Sequence, residues 1–284
     1  MNKKIVAFLT FTFSLTWLLW WPLAFLKQDD SQIYRNTVFF MLFAIAGAAP
    51  TIAAYISIKF SDRDYTLFNK AVWKWRINLL YYLFVFISIL VVRLLSILVY
   101  GLIYKPIWTE LSPHIISFVL LIFPMIIFGG LEEFGWRGIL LPELNRKFNL
   151  LISALIVGFL WGLWHLPLFF INGLSQYHTN FLTFLINTIG LSFVLAWFFH
   201  QTNSILICVL FHAFYNSSFS IGLDCPSNGQ YISAIIWLIY GGMLLGYEYV
   251  KTKKKSTISF LKQDRLKLKK QGQEILPLKG STGN

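Results

Sequence analysis

The sequence predicts an all-α polytopic membrane protein, a bundle of about eight transmembrane helices followed by a basic C-terminal tail. Hydrophobic residues make up 57% of the 284 residues and charged residues only 13%, and the mean hydropathy is +0.63. Apolar runs of about 20 residues, the length that crosses a bilayer as a helix, recur along most of the chain. Soluble domains carry about 25% charged residues, so the soluble class is excluded.

Each span is predicted from an apolar run bounded by charged, polar or proline-containing connections. The second run contains the sequence GAAP at residues 47–50, where small residues allow close helix approach and the proline allows a kink. After it, tryptophans alternate with cations over residues 68–76, which is typical of a segment on the membrane surface. Arg93 in the third run is expected to be structural, because no motif surrounds it. The spans are predicted at about residues 5–26, 37–58, 79–102, 114–130, 150–164, 181–200, 205–221 and 231–250.

Basic residues in the connections predict a cell-membrane protein with both termini in the cytoplasm, because cytoplasmic loops are enriched in Lys and Arg. The amino terminus, the second-to-third and fourth-to-fifth connections and the carboxy-terminal tail carry most of them, and eight spans place these segments on one side. The opposite connections carry only Lys27, Arg35 and Lys105.

Two parts are predicted, a helix bundle over residues 1–250 and a basic cytoplasmic tail over residues 251–284. The tail has ten Lys and Arg residues against two acidic residues, a net charge of +8. Such a tail beside a membrane predicts either a solvated topology signal or adhesion to anionic lipid in the bilayer. No nucleic-acid-binding module pattern is present, so nucleic acid is not an expected partner.

The fourth apolar run leads into two carboxylates and an arginine, although a charge inside a bilayer costs roughly 2.5–3.5 kcal/mol. Glu133 and Arg137 are spaced i,i+4 with the acid first, which favours an ion pair. Glu132 lies about 100° around the helix and has no partner at that spacing. The pattern predicts a structural carboxylate at Glu133 and a spare carboxylate at Glu132, with solvated charges at a helix end as the alternative.

Two later apolar runs carry polar residues of catalytic type. His165 closes the fifth run, and His212 and Asn216 lie i,i+4 on one face of the seventh. A glutamate and a histidine, here Glu132 and His165, can activate a water as general base. Imidazole and amide N–H groups aimed at one point can stabilise an oxyanion. The set predicts hydrolysis of an amide bond without a nucleophilic Ser or Cys.

A metal site is the alternative, because two histidines and a carboxylate also form a familiar catalytic zinc shell. Glu132, His165 and His212 would then be the ligands. The sequence H-E-x-x-H is absent, and these ligands would come from three separate helices. The favoured hypothesis requires no cofactor, with a divalent metal such as zinc as the alternative.

Together these residues resemble the CPBP family of intramembrane proteases, which groups CAAX prenyl endopeptidases with bacteriocin-processing and self-immunity proteins. The family pattern is E-E-x-x-x-R, then F-x-x-x-H, then H-x-x-x-N, on successive helices. Residues 132–137 and 212–216 match the first and third parts fully. His165 matches the second part, but Trp161 replaces the usual Phe, which is expected to affect pocket shape rather than chemistry. The core of the resemblance covers about residues 115–220.

The resemblance implies a glutamate-type intramembrane endopeptidase, often classed as a metalloprotease, that acts on a peptide or membrane-protein substrate. It implies water activation by Glu132 and His165, an oxyanion hole from His212 and Asn216, and support of the site by the ion pair of the first motif. The alternatives are a non-proteolytic immunity or regulatory protein of the same fold, and a transporter. A transporter would favour repeat symmetry, which the sequence does not show.

Overall fold

The structure is a computed structural model that describes residues 3–26, 36–59, 62–104 and 114–270, without the side chains of residues 62–64 and 254–270. Within these ranges the chain is helical between its turns and contains no strand, so the predicted all-α class is confirmed. The longer helices are α1 (Lys3–Phe25), α2 (Thr37–Gly47), α3 (Ala49–Ile58), α4 (Asp62–Val72), α5 (Leu79–Ile103), α6 (Ile115–Phe128), α7 (Leu150–Trp164), α8 (Phe181–Thr202), α9 (Ile205–Ser217) and α10 (Gln230–Lys270).

Two sequence predictions fall partly outside these ranges. Lys27, Arg35 and Lys105, on which the predicted orientation depends, lie outside the described residues, as do residues 271–284 of the predicted tail. The orientation and the boundary between bundle and tail therefore stay predictions.

Among the described residues, six helical segments are long and apolar enough to cross a membrane, and α2 with α3 forms a seventh if this bent pair is one span. The pair is bent by 41°, and Pro50 stands in the first turn of α3. Proline cannot donate a backbone hydrogen bond inside a helix, which explains a break at the predicted kink. The remaining predicted run, residues 205–221, is helical and apolar but shorter. The chain is therefore a multi-pass membrane protein.

The outer surface of the bundle is apolar, as expected for helices that face lipid. α6 has no buried residue, and its side chains Ile116, Leu120 and Phe123 are each at least 69% exposed. A soluble monomer rarely exposes so large a contiguous apolar surface. Only one side of α6 packs on the protein, and it does so mainly against α9.

α8 holds the second half of the bundle together through its contacts with α7 and α10. Its approach to α10 requires a glycine, because a Cβ on Gly190 would lie 2.5 Å from the backbone nitrogen of Leu238. Small residues allow this close packing inside membranes. α9 packs in turn against α8, α5 and α6, which brings the third sequence motif beside the first.

Arg93 of α5 has the structural role expected from the sequence. Its side chain is 4% exposed, forms an ion pair with Asp224 and donates a hydrogen bond of 2.9 Å from Nη2 to the hydroxyl of Ser218. The guanidinium also lies 4.1 Å over the ring of Phe219. These contacts tie the middle of α5 to the chain that follows α9.

Candidate active site

The two glutamates lie in a segment of short turns that follows α6. The sequence pattern predicts one helix through this stretch, and the structure corrects that prediction. The turns are a 3-10 turn (Gly130–Glu132), an α turn (Glu133–Gly135), a π turn (Trp136–Leu140) and a second α turn (Leu141–Asn145). Glycine disfavours a regular helix, and this segment contains three glycines, Gly130, Gly135 and Gly138. π turns inside helices are frequently found at functional sites.

Gly129 and Gly130 allow α9 to lie directly against the start of this segment. A Cβ on Gly130 would lie 2.9 Å from the backbone oxygen of Val209. A Cβ on Gly129 would lie 2.5 Å from Nδ2 of Asn216 and 3.1 Å from Nε2 of His212. Both side-chain nitrogens therefore lie beside one point on the backbone, as their i,i+4 spacing predicted. Neither glycine belongs to the motifs, and the only signal was a glycine pair just before two glutamates.

Glu133 is fully buried between a guanidinium and an imidazole. Nη1 of Arg137 donates to Oε1 at 3.1 Å and lies 2.9 Å from Oε2, so the predicted ion pair is present. Nδ1 of His212 lies 2.8 Å from Oε1. This second contact joins the first motif to α9 across 79 positions, which local spacing did not predict.

Glu132 is 7% exposed and has a different environment. Its Oε2 accepts a hydrogen bond of 2.8 Å from Nε1 of Trp161. Within the part of the chain that the structure describes, no cation forms an ion pair with it. The two adjacent carboxylates thus differ as predicted, since Glu133 is held by an ion pair and Glu132 is not.

His165 caps the C-terminal end of α7, and its imidazole is oriented by the helix itself. Its backbone N–H donates to the oxygen of Gly162 at 3.2 Å, which leaves the oxygen of Trp161 available. Nδ1 lies 2.8 Å from that oxygen. A carbonyl can only accept, so Nδ1 carries the proton and Nε2 keeps a lone pair. The histidine can therefore act as a base or hold a water through Nε2.

His212 presents its other nitrogen towards Asn216. Because Nδ1 contacts the carboxylate of Glu133, it is the nitrogen that donates there. Nε2 can then donate to an oxyanion only when the ring carries both protons, with Glu133 as its counter-ion. Asn216 needs no such condition, since its amide always carries donors.

Trp161 touches both halves of the site and is 3% exposed. Besides its bonds to Glu132 and His165, its ring lies 4.8 Å from the guanidinium of Arg137 and 5.2 Å from the ring of His212. The sequence pattern assigned this position only an effect on pocket shape. The indole N–H gives it a polar contact that the family's usual Phe cannot make.

The predicted metal ligands do not form a ligand group. The described residues contain no cluster of three or more His, Cys, Asp or Glu side chains that could hold a metal ion. Glu132 accepts the indole N–H of Trp161, and Nδ1 of His212 contacts Glu133.

Comparisons with known proteins find similarity to CAAX-type proteases. The family described as "Type II CAAX prenyl endopeptidase Rce1-like" matches residues 113–218, a range that contains all three motifs and nearly coincides with the predicted core, 115–220. The curated protein "CAAX prenyl protease 2" from Methanococcus maripaludis is 29% identical over 228 residues, which cover 72% of this chain and 80% of that protein. Over its motif-bearing core the chain is therefore similar to CAAX-type membrane proteases.

Proposed function

We propose that this protein is an intramembrane endopeptidase that hydrolyses a peptide bond with a water activated by Glu132 and His165. The observation that carries the proposal is that three distant motifs meet around Trp161 and Gly129. Glu132 and His165 both bond to Trp161. The donor nitrogens of His212 and Asn216 lie beside Gly129, three positions before Glu132.

The first step is attack of water on the substrate carbonyl carbon. Nε2 of His165 accepts a hydrogen bond from the water and holds it in place. The water oxygen bonds to the carbonyl carbon while its proton passes to the carboxylate of Glu132. A positioned general base of this kind contributes roughly 10²- to 10⁴-fold to the rate.

The second element is stabilisation of the oxyanion that this attack produces. Nε2 of the doubly protonated His212 and Nδ2 of Asn216 donate to it. Removing one such donor typically costs about 10²- to 10³-fold in turnover. The C–N bond then breaks, and the proton held by Glu132 passes to the leaving amine, which restores the carboxylate.

Glu133 and Arg137 support the site without touching the substrate. Glu133 accepts from Nδ1 of His212 and so sets the direction of Nε2. Arg137 balances the charge of this carboxylate, and both side chains are fully buried. A buried ion pair that loses one partner leaves an uncompensated charge, so each of the two residues needs the other to stay buried.

The substrate we propose is a peptide or membrane protein whose scissile bond reaches the bilayer. The relative from Methanococcus maripaludis is named for CAAX prenyl substrates, so such peptides belong in the first assay. The probes are quenched-fluorescence peptides, prenylated and unprenylated, presented to purified protein in proteoliposomes.

The test compares wild type with Glu132→Gln, which keeps size and hydrogen bonding but removes the base. We expect turnover to fall at least about a hundredfold. The matched control is Glu248→Gln on α10, a carboxylate that is 9% exposed and bonded to Gln201, away from the site. Its turnover should stay within about twofold of wild type, because it makes none of the contacts used in the reaction.

Two further results decide the remaining alternatives. Full turnover by Glu132→Gln would remove this mechanism and favour a binding protein of the same fold. The assay is repeated after chelation and after addition of zinc, because two histidines and a carboxylate are also zinc ligands. Unchanged turnover after chelation supports the reaction as written, whereas loss restored by zinc would assign a metal to the site.

A further inference from the structure

The geometry points to Trp161 as a positioning residue that orients the carboxylate of Glu132 through its indole N–H. This inference rests on the proposed function, in which Glu132 is the base. Trp161 is the position at which this chain departs from the family pattern that it resembles. The usual Phe has no hydrogen-bond donor, so it could not make this contact.

The hydrogen bond is short, buried and made to a single oxygen of the carboxylate. Nε1 of Trp161 lies 2.8 Å from Oε2 of Glu132, and both residues are less than a tenth exposed. Hydrogen bonds to charged groups are about twice as strong as those between neutral groups. The contact therefore restricts rotation of the carboxylate and leaves Oε1 to meet the water.

The indole itself is fixed from several directions. The guanidinium of Arg137 lies 4.8 Å from its ring, and the ring of His212 meets it edge-on at 5.2 Å. The backbone oxygen of Trp161 accepts from Nδ1 of His165. One residue thus sets the direction of the base through its side chain and the tautomer of the partner histidine through its backbone.

The chemistry of indole suits this position. Its N–H donates and cannot accept, so it does not compete with Glu132 for the proton of the water. A group that only orients the base acts when the transition state forms. Its loss should lower kcat and leave KM nearly unchanged, because interactions made only in the transition state affect kcat.

A purely structural role makes a different prediction, and the chain provides a control for it. Trp237 on α10 is fully buried, and its Nε1 has no hydrogen-bond partner among the described residues. It packs against Phe211 and Tyr215. Trp237→Phe therefore deletes the same atoms from a buried site without removing a hydrogen bond.

The experiment measures kcat and KM in proteoliposomes for Trp161→Phe, Trp237→Phe and Glu132→Gln. A second variant replaces Trp161 by benzothienylalanine, in which sulfur takes the place of the N–H and the ring shape is kept. We expect both changes at Trp161 to lower kcat by about tenfold or more, the scale of a hydrogen bond to a charged group. KM should change by less than about twofold, and Trp237→Phe should retain wild-type kcat.

Each of the other outcomes would refute either the role of Trp161 or the proposed function. Wild-type kcat in both Trp161 variants, with Glu132→Gln inactive, would refute the role of Trp161 and leave the proposed function intact. A loss in Trp161→Phe that benzothienylalanine restores would assign the effect to ring packing, against the inference. Full activity of Glu132→Gln would refute the proposed function itself.

Discussion

Gly129 decides how closely the two donors of α9 approach the first motif. A methyl group at this position would meet Nδ2 of Asn216 at 2.5 Å and Nε2 of His212 at 3.1 Å. Cβ atoms in proteins essentially never lie as close as 2.5 Å to such a neighbour, so at least the amide of Asn216 must move. Because the amide is the flexible end of a side chain, the fold should accommodate the added methyl group. The position of the two donor nitrogens should nevertheless change.

We therefore expect Gly129→Ala to lower kcat by at least about tenfold, since it displaces the proposed oxyanion donor Asn216. Thermal stability in detergent should fall only slightly. Gly242→Ala on α10 is the control, because a Cβ there has no neighbour within 4 Å. Unchanged kcat in Gly129→Ala would show that the two nitrogens do not act at this point.

The ion pair of Glu133 and Arg137 is the second feature at the scale of single residues. Both side chains are fully buried, and Nε and Nη2 of Arg137 have no hydrogen-bond partner among the described residues. A charge buried in this way is stable only while its partner is present.

Arg137→Ala is expected to destabilise the protein by about 3–5 kcal/mol, because Glu133 keeps its charge and loses its counter-ion. The double variant Glu133→Ala with Arg137→Ala should lose less than the sum of the single losses, since no charge is then left alone. Unfolding in mixed micelles measures both. Additive losses would show that the pair does not interact in the folded protein, and a stable but inactive Arg137→Ala would place Arg137 among the groups that touch substrate.

At the scale of helices, much of the architecture follows from hydrophobic run length. All eight predicted runs are helical, and the bend between α2 and α3 falls at the GAAP sequence, where proline removes a backbone donor. The mixed turns over residues 130–145 were not predicted, because glycine-rich helix segments adopt several turn types with similar local patterns. Contacts between helices, such as Glu133 with His212, depend on packing and cannot be derived from spacing along one helix.

The packing of α8 on α10 gives a prediction at this scale. Gly190→Ala would place its Cβ 2.5 Å from the backbone nitrogen of Leu238, and a backbone atom within a helix cannot rotate away. We expect a loss of about 1–3 kcal/mol in stability from overpacking. The control is Gly246→Ala on α10, where a Cβ has no neighbour within 4 Å, and it should retain wild-type stability. Wild-type stability of Gly190→Ala would mean that α8 and α10 can move apart without a loss of stability.

At the scale of the whole molecule, the predicted division is a helix bundle that carries the candidate site and a basic tail that follows it. The helix α10 continues from the apolar span through Lys270. We propose that both termini are cytoplasmic and that the tail binds anionic lipid, an attraction worth about 1 kcal/mol per basic residue near the surface. No proposed catalytic residue lies beyond Asn216.

A truncation after Lys255 should insert normally and cleave substrate in vesicles of neutral lipid, because it keeps four lysines beside the last span as the orientation signal. Any lost activity should appear only with anionic lipid and should shrink as salt is raised, since screening weakens surface attraction. The measurement is turnover in phosphatidylcholine vesicles with and without phosphatidylserine. A truncated protein that inserts correctly but is inactive in every lipid would show that the tail contributes to the site.

The contact between Glu133 and His212 spans 79 positions of the chain, and this separation has a consequence during synthesis. The segment that carries Glu132 leaves the ribosome well before α9, which carries both proposed oxyanion donors. In the proposed mechanism, a nascent chain therefore holds the base Glu132 in the membrane before the two oxyanion donors are present. If the proposed mechanism holds, activity can begin only once α9 has inserted and packed against Gly129, so a chain still in synthesis should be inactive towards neighbouring nascent proteins.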